Sequence, residues 1–79
     1  MNKNEIKKIV EKWLIKKNKK KEANKNLFKE VIIDSFEVID FISYLEDEFK
    51  IKFNSNEFQD PKFMIINNIV NLIFKKLND

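Results

Sequence analysis

The chemistry open to this chain is limited by its side-chain types. Its 79 residues include no Cys and no His, so it has no thiolate nucleophile, no imidazole base and none of the usual zinc ligands. Carboxylates, lysines and hydroxyls remain. Ser35 has the most informative setting, because it follows Asp34 directly before an amphipathic, acid-rich run, residues 36–49. With so few reactive groups and little volume to form a pocket, we expect a binding or carrier module and not an enzyme.

Two interpretations of Ser35 follow from its position. A Ser beside a helix start is most often a cap or a first-turn residue without chemistry. However, Asp34 and Glu37 have the D-x-x-E spacing of a capping box. If Asp34 caps, Ser35 lies at the first helical position with its hydroxyl facing solvent. A phosphate attached there would meet the first-turn amides at the positive end of the helix.

Three substantial helices and a short one are expected to position these residues. Apolar residues at helical spacing predict a first helix from about Asn4 to Lys17 and a second from the Asp34 cap to Phe49 or Lys50. Together with the later helices they predict an all-α four-helix bundle with a long loop between helices 1 and 2. The length allows a single domain, residues 1–79.

The third and fourth helices are predicted from residue 55 onwards. Residues 55–60 can hold one short helical turn, with Ser55 or Asn56 as its cap. Pro61 fits the first position of a last helix that Asp60 would cap. The apolar residues expected to form the core first of all are Phe36, Ile39, Ile42, Phe53, Phe58, Ile66 and Ile69.

Charge is strongly segregated along the chain, although the net charge is only +3. Residues 1–33 carry eleven Lys and four acids, a net charge of +7, whereas residues 34–60 carry two Lys and eight acids, a net charge of −6. The acids of the second helix do not predict a calcium site, because the D-x-[DN]-x-[DN]-G pattern is absent. We expect no metal.

The stretch DSFEVIDFISYLEDEFKIKF, residues 34–53, resembles the serine-bearing segment of acyl and peptidyl carrier proteins. Asp34 and Ser35 match that family's attachment pair, and Phe36 matches the bulky apolar residue after it. The likeness extends back through LFKEVIIDS and forward through FMIINNIVNLI, so it covers residues 27–73. It leans towards D-alanyl or other aminoacyl carriers. The family usually has a Gly where Val31 stands, which predicts a tighter or differently bent approach loop.

The resemblance implies that Ser35 carries a 4'-phosphopantetheine arm derived from coenzyme A, with Asp34 and Phe36 at the attachment site. The arm would hold an acyl or aminoacyl group as a thioester, for fatty acid or specialised metabolite biosynthesis. The implied partners are a phosphopantetheinyl transferase, a loading ligase, and acyltransferase or synthase enzymes, which a monomeric carrier would visit in turn. Basic patches on those enzymes would dock on the second helix, and the acids assigned to this role are Glu37, Asp40, Glu46, Asp47 and Glu48.

Other interpretations stay open. The protein could be a helical adaptor or a basic polyanion-binding module, with Ser35 as an ordinary helix-start residue, or a carrier that is never modified. Residues 16–26, KKNKKKEANKN, contain no Arg and no aromatic residue, so specific nucleic-acid recognition is not expected. We interpret this segment as a solvated loop.

The remaining expectations concern cargo and location. With eight Phe the interior is expected to be full, so a carried group would be short or would stay outside. No apolar run is long enough to cross a membrane, and the first residues lack the apolar stretch of a signal peptide. We expect a cytoplasmic protein.

Overall fold

The computed structural model describes residues 1–78 and contains four helices in that range. Helix α1 spans Lys3–Lys16, α2 spans Ser35–Phe49, α3 spans Ser55–Gln59 and α4 spans Ile66–Leu77. The described residues form no strand, and one isolated antiparallel bridge joins Asn26 to Ile65. The all-α class is confirmed, with its three main helices, its short helix and the long connection after α1. The Cα radius of gyration is 11.5 Å, close to the ~11.6 Å of a compact domain of this length.

One face of α1 lies at the centre of the core. Its buried residues follow the helical spacing of the sequence, and they are Ile6, Val10, Trp13 and Leu14. The ring centroids of Trp13 and Phe41 are 5.0 Å apart, and the Tyr44 hydroxyl donates a hydrogen bond to the Ile9 carbonyl oxygen at 2.7 Å. Burial, and then the negative charge of Glu48, raise the pKa of this tyrosine. The ring contact of Trp13 with Phe41 and the hydrogen bond of Tyr44 to Ile9 hold α2 against α1.

Helix α2 buries only part of its predicted apolar row. The sequence pattern predicts Phe36 and Ile39 in the core, but their side chains are 82% and 66% exposed, so this prediction is wrong. Apolar residues spaced by three rotate around an α-helix by about 60° at each step, because a full turn takes 3.6 residues. After three such steps, Phe36 and Leu45 lie on opposite sides. The side that packs into the core is that of Leu45, with Phe41, Ile42 and Phe49.

Helix α3 is a short support at the edge of the core. Phe58 is predicted in the core but is 44% exposed, because a helix of five residues covers little surface and buries none of its own residues. The helix is capped by Asn54, whose Oδ1 accepts a hydrogen bond from the Glu57 N–H at 2.9 Å. The prediction of Ser55 or Asn56 as the cap is therefore wrong. The other predicted core residues are buried, namely Ile42, Phe53, Ile66 and Ile69.

Helix α4 begins later than the sequence predicts. Asp60 and Pro61 have the residue types of a helix start, but α4 begins at Ile66. The Asp60 Oδ1 instead accepts a hydrogen bond from the Lys62 N–H at 2.9 Å. This contact closes a turn, and the predicted helix start at Pro61 is wrong.

The long connection between α1 and α2 replaces the missing cap of α4. Ile65 occupies the N-cap position without a side-chain hydrogen bond. The N–H of Asn67, in the first turn, donates to the Ala23 carbonyl oxygen at 3.2 Å. Close by, the Leu27 N–H donates to the Met64 carbonyl oxygen at 2.9 Å. The connection is therefore joined to the start of α4 by backbone contacts that no local sequence pattern reveals.

Candidate functional site

Ser35 is the first residue of α2, and its side chain is exposed. The Asp34 Oδ1 accepts a hydrogen bond from the Glu37 N–H at 2.9 Å, and the Glu37 Oε1 accepts one from the Asp34 N–H at 3.1 Å. The predicted capping box is confirmed, as is the predicted position of Ser35. Because Asp34 and Glu37 satisfy the helix start, the Ser35 hydroxyl is not needed as a cap.

The surroundings of Ser35 suit a residue that is modified by another protein. The two carboxylates beside it belong to the capping box, and the chain has no His or Cys. A serine is a weak nucleophile unless a nearby base activates it. Ser35 therefore has the accessibility of a modification site and lacks the partners of a catalytic nucleophile.

An apolar groove opens beside Ser35. It has a volume of about 320 Å³, and apart from Ser35 it is lined by Phe28, Val38, Phe58, Phe63 and Met64. The rings of Phe58 and Phe63 meet edge to face, with centroids 5.3 Å apart. Sequence spacing gives no sign of this groove, because its walls come from α2, α3, the loop before α2 and the turn before α4. A group attached to the Ser35 hydroxyl would have apolar walls within reach.

Several exposed apolar side chains line the groove with Ser35 or lie within four residues of Ser35 in the sequence. We call this set the apolar collar, and its members are Phe28, Val31, Phe36, Ile39 and Phe58. Phe28 and Phe58 line the groove, whereas Phe36 and Ile39 follow Ser35 on α2. Large apolar side chains that are exposed close to one another often mark interaction sites. The collar makes the surroundings of Ser35 a candidate contact surface.

The approach to Ser35 contains an unusual backbone conformation. Val31 has a φ of 54° and an 80% exposed side chain. A left-handed conformation costs an L-residue about 1–2 kcal/mol, because Cβ crowds the carbonyl oxygen. Local hydrogen bonds hold this turn, since the N–H groups of Ile32 and Ile33 both donate to the Leu27 carbonyl oxygen at 2.9 and 3.2 Å. Val31 therefore adopts the left-handed conformation that a Gly favours.

The acids of α2 differ in what they contact. The Glu37 Oε2 lies 3.1 Å from the Lys19 Nζ. Glu46 is partly buried, and its Oε2 accepts a hydrogen bond from the Phe53 N–H at 2.9 Å. These two acids therefore stabilise the fold itself. The three predicted docking acids with exposed side chains are Asp40, Asp47 and Glu48.

A charged pair holds α3, and with it one wall of the groove, against α4. The Lys76 Nζ lies 2.9 Å from the Glu57 Oε2, and it also lies 5.5 Å from the centroid of the Phe53 ring. Burial acts to raise the pKa of Glu57. Hydrogen bonds from Lys76 and the Asn54 N–H act in the opposite direction, as do the positive charges of Lys76 and Lys75, and the pKa of Glu57 is lowered below its usual range. The ionised carboxylate therefore stabilises the position of α3.

Comparisons with known proteins add no relative: no protein-family model, no curated protein and no solved structure matches this chain. Within residues 1–78, no group of three or more acidic side chains is placed to hold a metal ion. No helix in this range is long and apolar enough to cross a membrane.

Proposed function

We propose that this protein is an acyl or aminoacyl carrier that bears a 4'-phosphopantetheine arm on Ser35. The observation that supports this most directly is the joint position of the serine, exposed at the start of α2 and at the edge of an apolar groove. The residues present fit such an arm, because the hydroxyl is accessible and the groove offers apolar walls to a group attached there.

The conformation of Val31 adds support to the resemblance over residues 27–73. Carrier proteins usually have Gly at this position, and Gly adopts positive φ without a Cβ penalty. Val31 keeps a positive φ of 54° in this chain. The backbone thus has the conformation that a Gly favours, although the side chain opposes it.

In the proposed attachment, the Ser35 oxygen attacks the phosphorus of coenzyme A that bears the pantetheine group. A bond from oxygen to phosphorus forms and the pyrophosphate bond breaks, which releases adenosine 3',5'-bisphosphate. The serine proton passes to a base of the transferase, since Asp34 and Glu37 are engaged in the cap. When attached, the arm supplies a thiol that can hold a thioester, which the chain lacks because it has no Cys.

The packing of the core favours a short cargo. Many large core side chains are completely buried, and Phe41, Leu45, Ile66 and Ile69 are among them. Protein interiors are close-packed, so an inserted chain would have to displace such residues. The groove beside Ser35, about 320 Å³ in volume, is the apolar space nearest the attachment point. We therefore expect a short acyl or aminoacyl group that lies in the groove or remains in solvent.

Partner enzymes would dock on the apolar collar and the exposed acids of α2. The expected partners are a phosphopantetheinyl transferase, a loading ligase, and the acyltransferase or synthase that receives the cargo. Asp40, Asp47 and Glu48 would steer basic patches towards the collar, which speeds encounter more than it raises affinity. Exposed aromatic anchors such as Phe36 would supply the apolar contacts.

The test is intact-mass spectrometry after incubation with coenzyme A and a broad-specificity phosphopantetheinyl transferase. A gain of one phosphopantetheine unit, mapped to Ser35, is expected for the natural chain and for Ser43→Ala, which removes another exposed serine of α2. Ser35→Ala should gain nothing while it keeps its helical circular dichroism. If the folded natural chain gains no mass, the proposal fails and an adaptor function is favoured.

A further inference from the structure

We propose a second interaction surface, on α1 and the residues after it, that binds the surface of an anionic lipid bilayer. We call it the basic face, and it consists of Lys8, Lys12, Ile15, Lys16, Lys17, Lys20 and Lys21. All seven side chains are exposed. The inference is independent of Ser35 and of any arm attached there.

The spacing of α1 places part of this surface opposite the core. Lys8, Lys12 and Ile15 have i, i+4 and i+7 spacing, so they share one side of the helix. The buried residues of α1 occupy the other side. Ile15 is 58% exposed, and it lies on the same side as the two lysines. An apolar side chain is therefore presented to solvent among positive charges.

The lysines of the basic face form no ion pair within residues 1–78, and the Lys17 Nζ lies 5.8 Å from the centroid of the Trp13 ring. Within residues 1–78, the lysines that form ion pairs are Lys19, Lys25, Lys52 and Lys76, and none of these belongs to the basic face. Clusters of about four to eight basic residues on an amphipathic helix are typical of proteins that bind anionic lipids. Three of the six lysines of the basic face lie on α1, and the other three follow its last residue, Lys16.

Acids on α2 border this surface on one side. Asp40 and Glu48 line a groove of about 410 Å³ together with Lys12, Lys16 and Lys17. These carboxylates weaken the attraction of the nearer lysines to an anionic surface. Lys20 lines a separate groove with Glu22 and Glu30, whereas Lys8 and Lys21 line neither of these two grooves. Binding is therefore expected to be reversible and sensitive to salt.

A bilayer fits the composition of the basic face better than a nucleic acid does. The chain has 16 basic residues, all of them Lys, and Lys is a strongly hydrated point charge without the planar geometry that Arg offers to phosphates. Trp13 is buried, so no aromatic ring of α1 is available for base stacking. Ile15, in contrast, can enter the boundary between headgroups and acyl chains when lysines contact the headgroups.

Vesicle co-sedimentation with the unmodified full chain tests the inference. Binding is expected to vesicles of mixed phosphatidylcholine and phosphatidylglycerol, to fall with added salt, and to be absent with phosphatidylcholine alone. The triple substitution Lys8→Gln, Lys12→Gln and Lys16→Gln should weaken binding at least about tenfold. The control Lys50→Gln, Lys62→Gln and Lys75→Gln removes the same charge from exposed sites elsewhere and should have a much smaller effect.

Ile15→Asn separates a bilayer from a nucleic acid as the partner. The substitution should weaken vesicle binding severalfold without loss of helical circular dichroism, because it removes the apolar contact and keeps every lysine. Equal losses in the two triple variants would overturn the proposal, as would no binding to the anionic vesicles. Tighter binding to duplex DNA that Ile15→Asn leaves unchanged would also overturn it, in favour of a nucleic-acid surface.

Discussion

The Lys19 Nζ lies 3.1 Å from the Glu37 Oε2, so the lysine-rich connection contacts the first turn of α2. The other carboxylate oxygen of Glu37 accepts a hydrogen bond from the Asp34 N–H at 3.1 Å. One side chain therefore joins the connection to the helix cap. The pair also places a positive charge near the acids beside Ser35, which offsets part of their repulsion of a phosphodiester.

Removal of this ion pair should have a small effect on stability. Both side chains are partly exposed, and such pairs contribute about 0.2–1 kcal/mol. We expect Lys19→Gln to lower the free energy of unfolding by less than ~1 kcal/mol, measured by urea denaturation. A double-mutant cycle with Glu37→Gln isolates the pair, and a coupling energy of zero would show that the two charges do not interact in solution.

Substitutions at the start of α2 should separate the cap from the modification site. Asp34→Ala removes the capping oxygen and should cost about 1 kcal/mol of unfolding free energy. Ser35→Ala should cost less than ~0.5 kcal/mol, since surface changes of this kind are nearly neutral. Urea denaturation of both variants checks the order, and a larger loss in Ser35→Ala would identify Ser35 as the structural residue.

Relief of the left-handed conformation at Val31 should stabilise the protein. Gly has no Cβ penalty at positive φ, although it gains entropy in the unfolded chain. Because the Val31 side chain is exposed, little buried surface is lost. We expect Val31→Gly to raise the free energy of unfolding by about 0.5–1 kcal/mol. Val31→Ala is the matched control. It keeps a Cβ, so its free energy of unfolding should rise less than that of Val31→Gly.

Substitution of two phenylalanines of α2 should change the stability of the protein by very different amounts. Phe41 is completely buried, and Phe41→Ala should cost about 3–5 kcal/mol, a large part of the stability of a small domain. Phe36→Ser should leave the denaturation midpoint nearly unchanged and should slow modification by the transferase, because Phe36 is an exposed member of the collar. Unfolding caused by Phe36→Ser would contradict the observed orientation of α2.

The ion pair between Glu57 and Lys76 should make stability depend on acid pH. Since the pKa of Glu57 is lowered in the folded protein, the unfolded chain binds the proton more readily. This contribution to stability is present above the ordinary carboxyl pKa and is lost as the pH falls through the lowered folded pKa. Glu57→Gln and Lys76→Met should both reduce the acid-dependent change in thermal midpoint. If the thermal midpoints of both variants change with pH in parallel with that of the natural chain, this assignment is contradicted.

Local signals made some features of the site predictable. The capping box of Asp34 and Glu37 depends on residues three apart, so it can be seen in the sequence alone. The exposure of Phe36 depends on which side of α2 meets α1. Apolar residues spaced by three wind around the helix, so the sequence does not determine which of them face the core. The delayed start of α4 depends on the backbone contact between Asn67 and Ala23, which are far apart in sequence. The groove beside Ser35 escaped prediction for the same reason.

The hydrogen bond from the Leu27 N–H to the Met64 carbonyl oxygen has a consequence for how the groove can change its width. Phe28 and Met64, two of the lining residues, each lie at or next to one end of this bond. An occupant that pushes these walls apart must stretch or break it. Opening of the groove should therefore increase the rate of hydrogen exchange at the Leu27 amide. This rate reports groove opening without a label on the cargo.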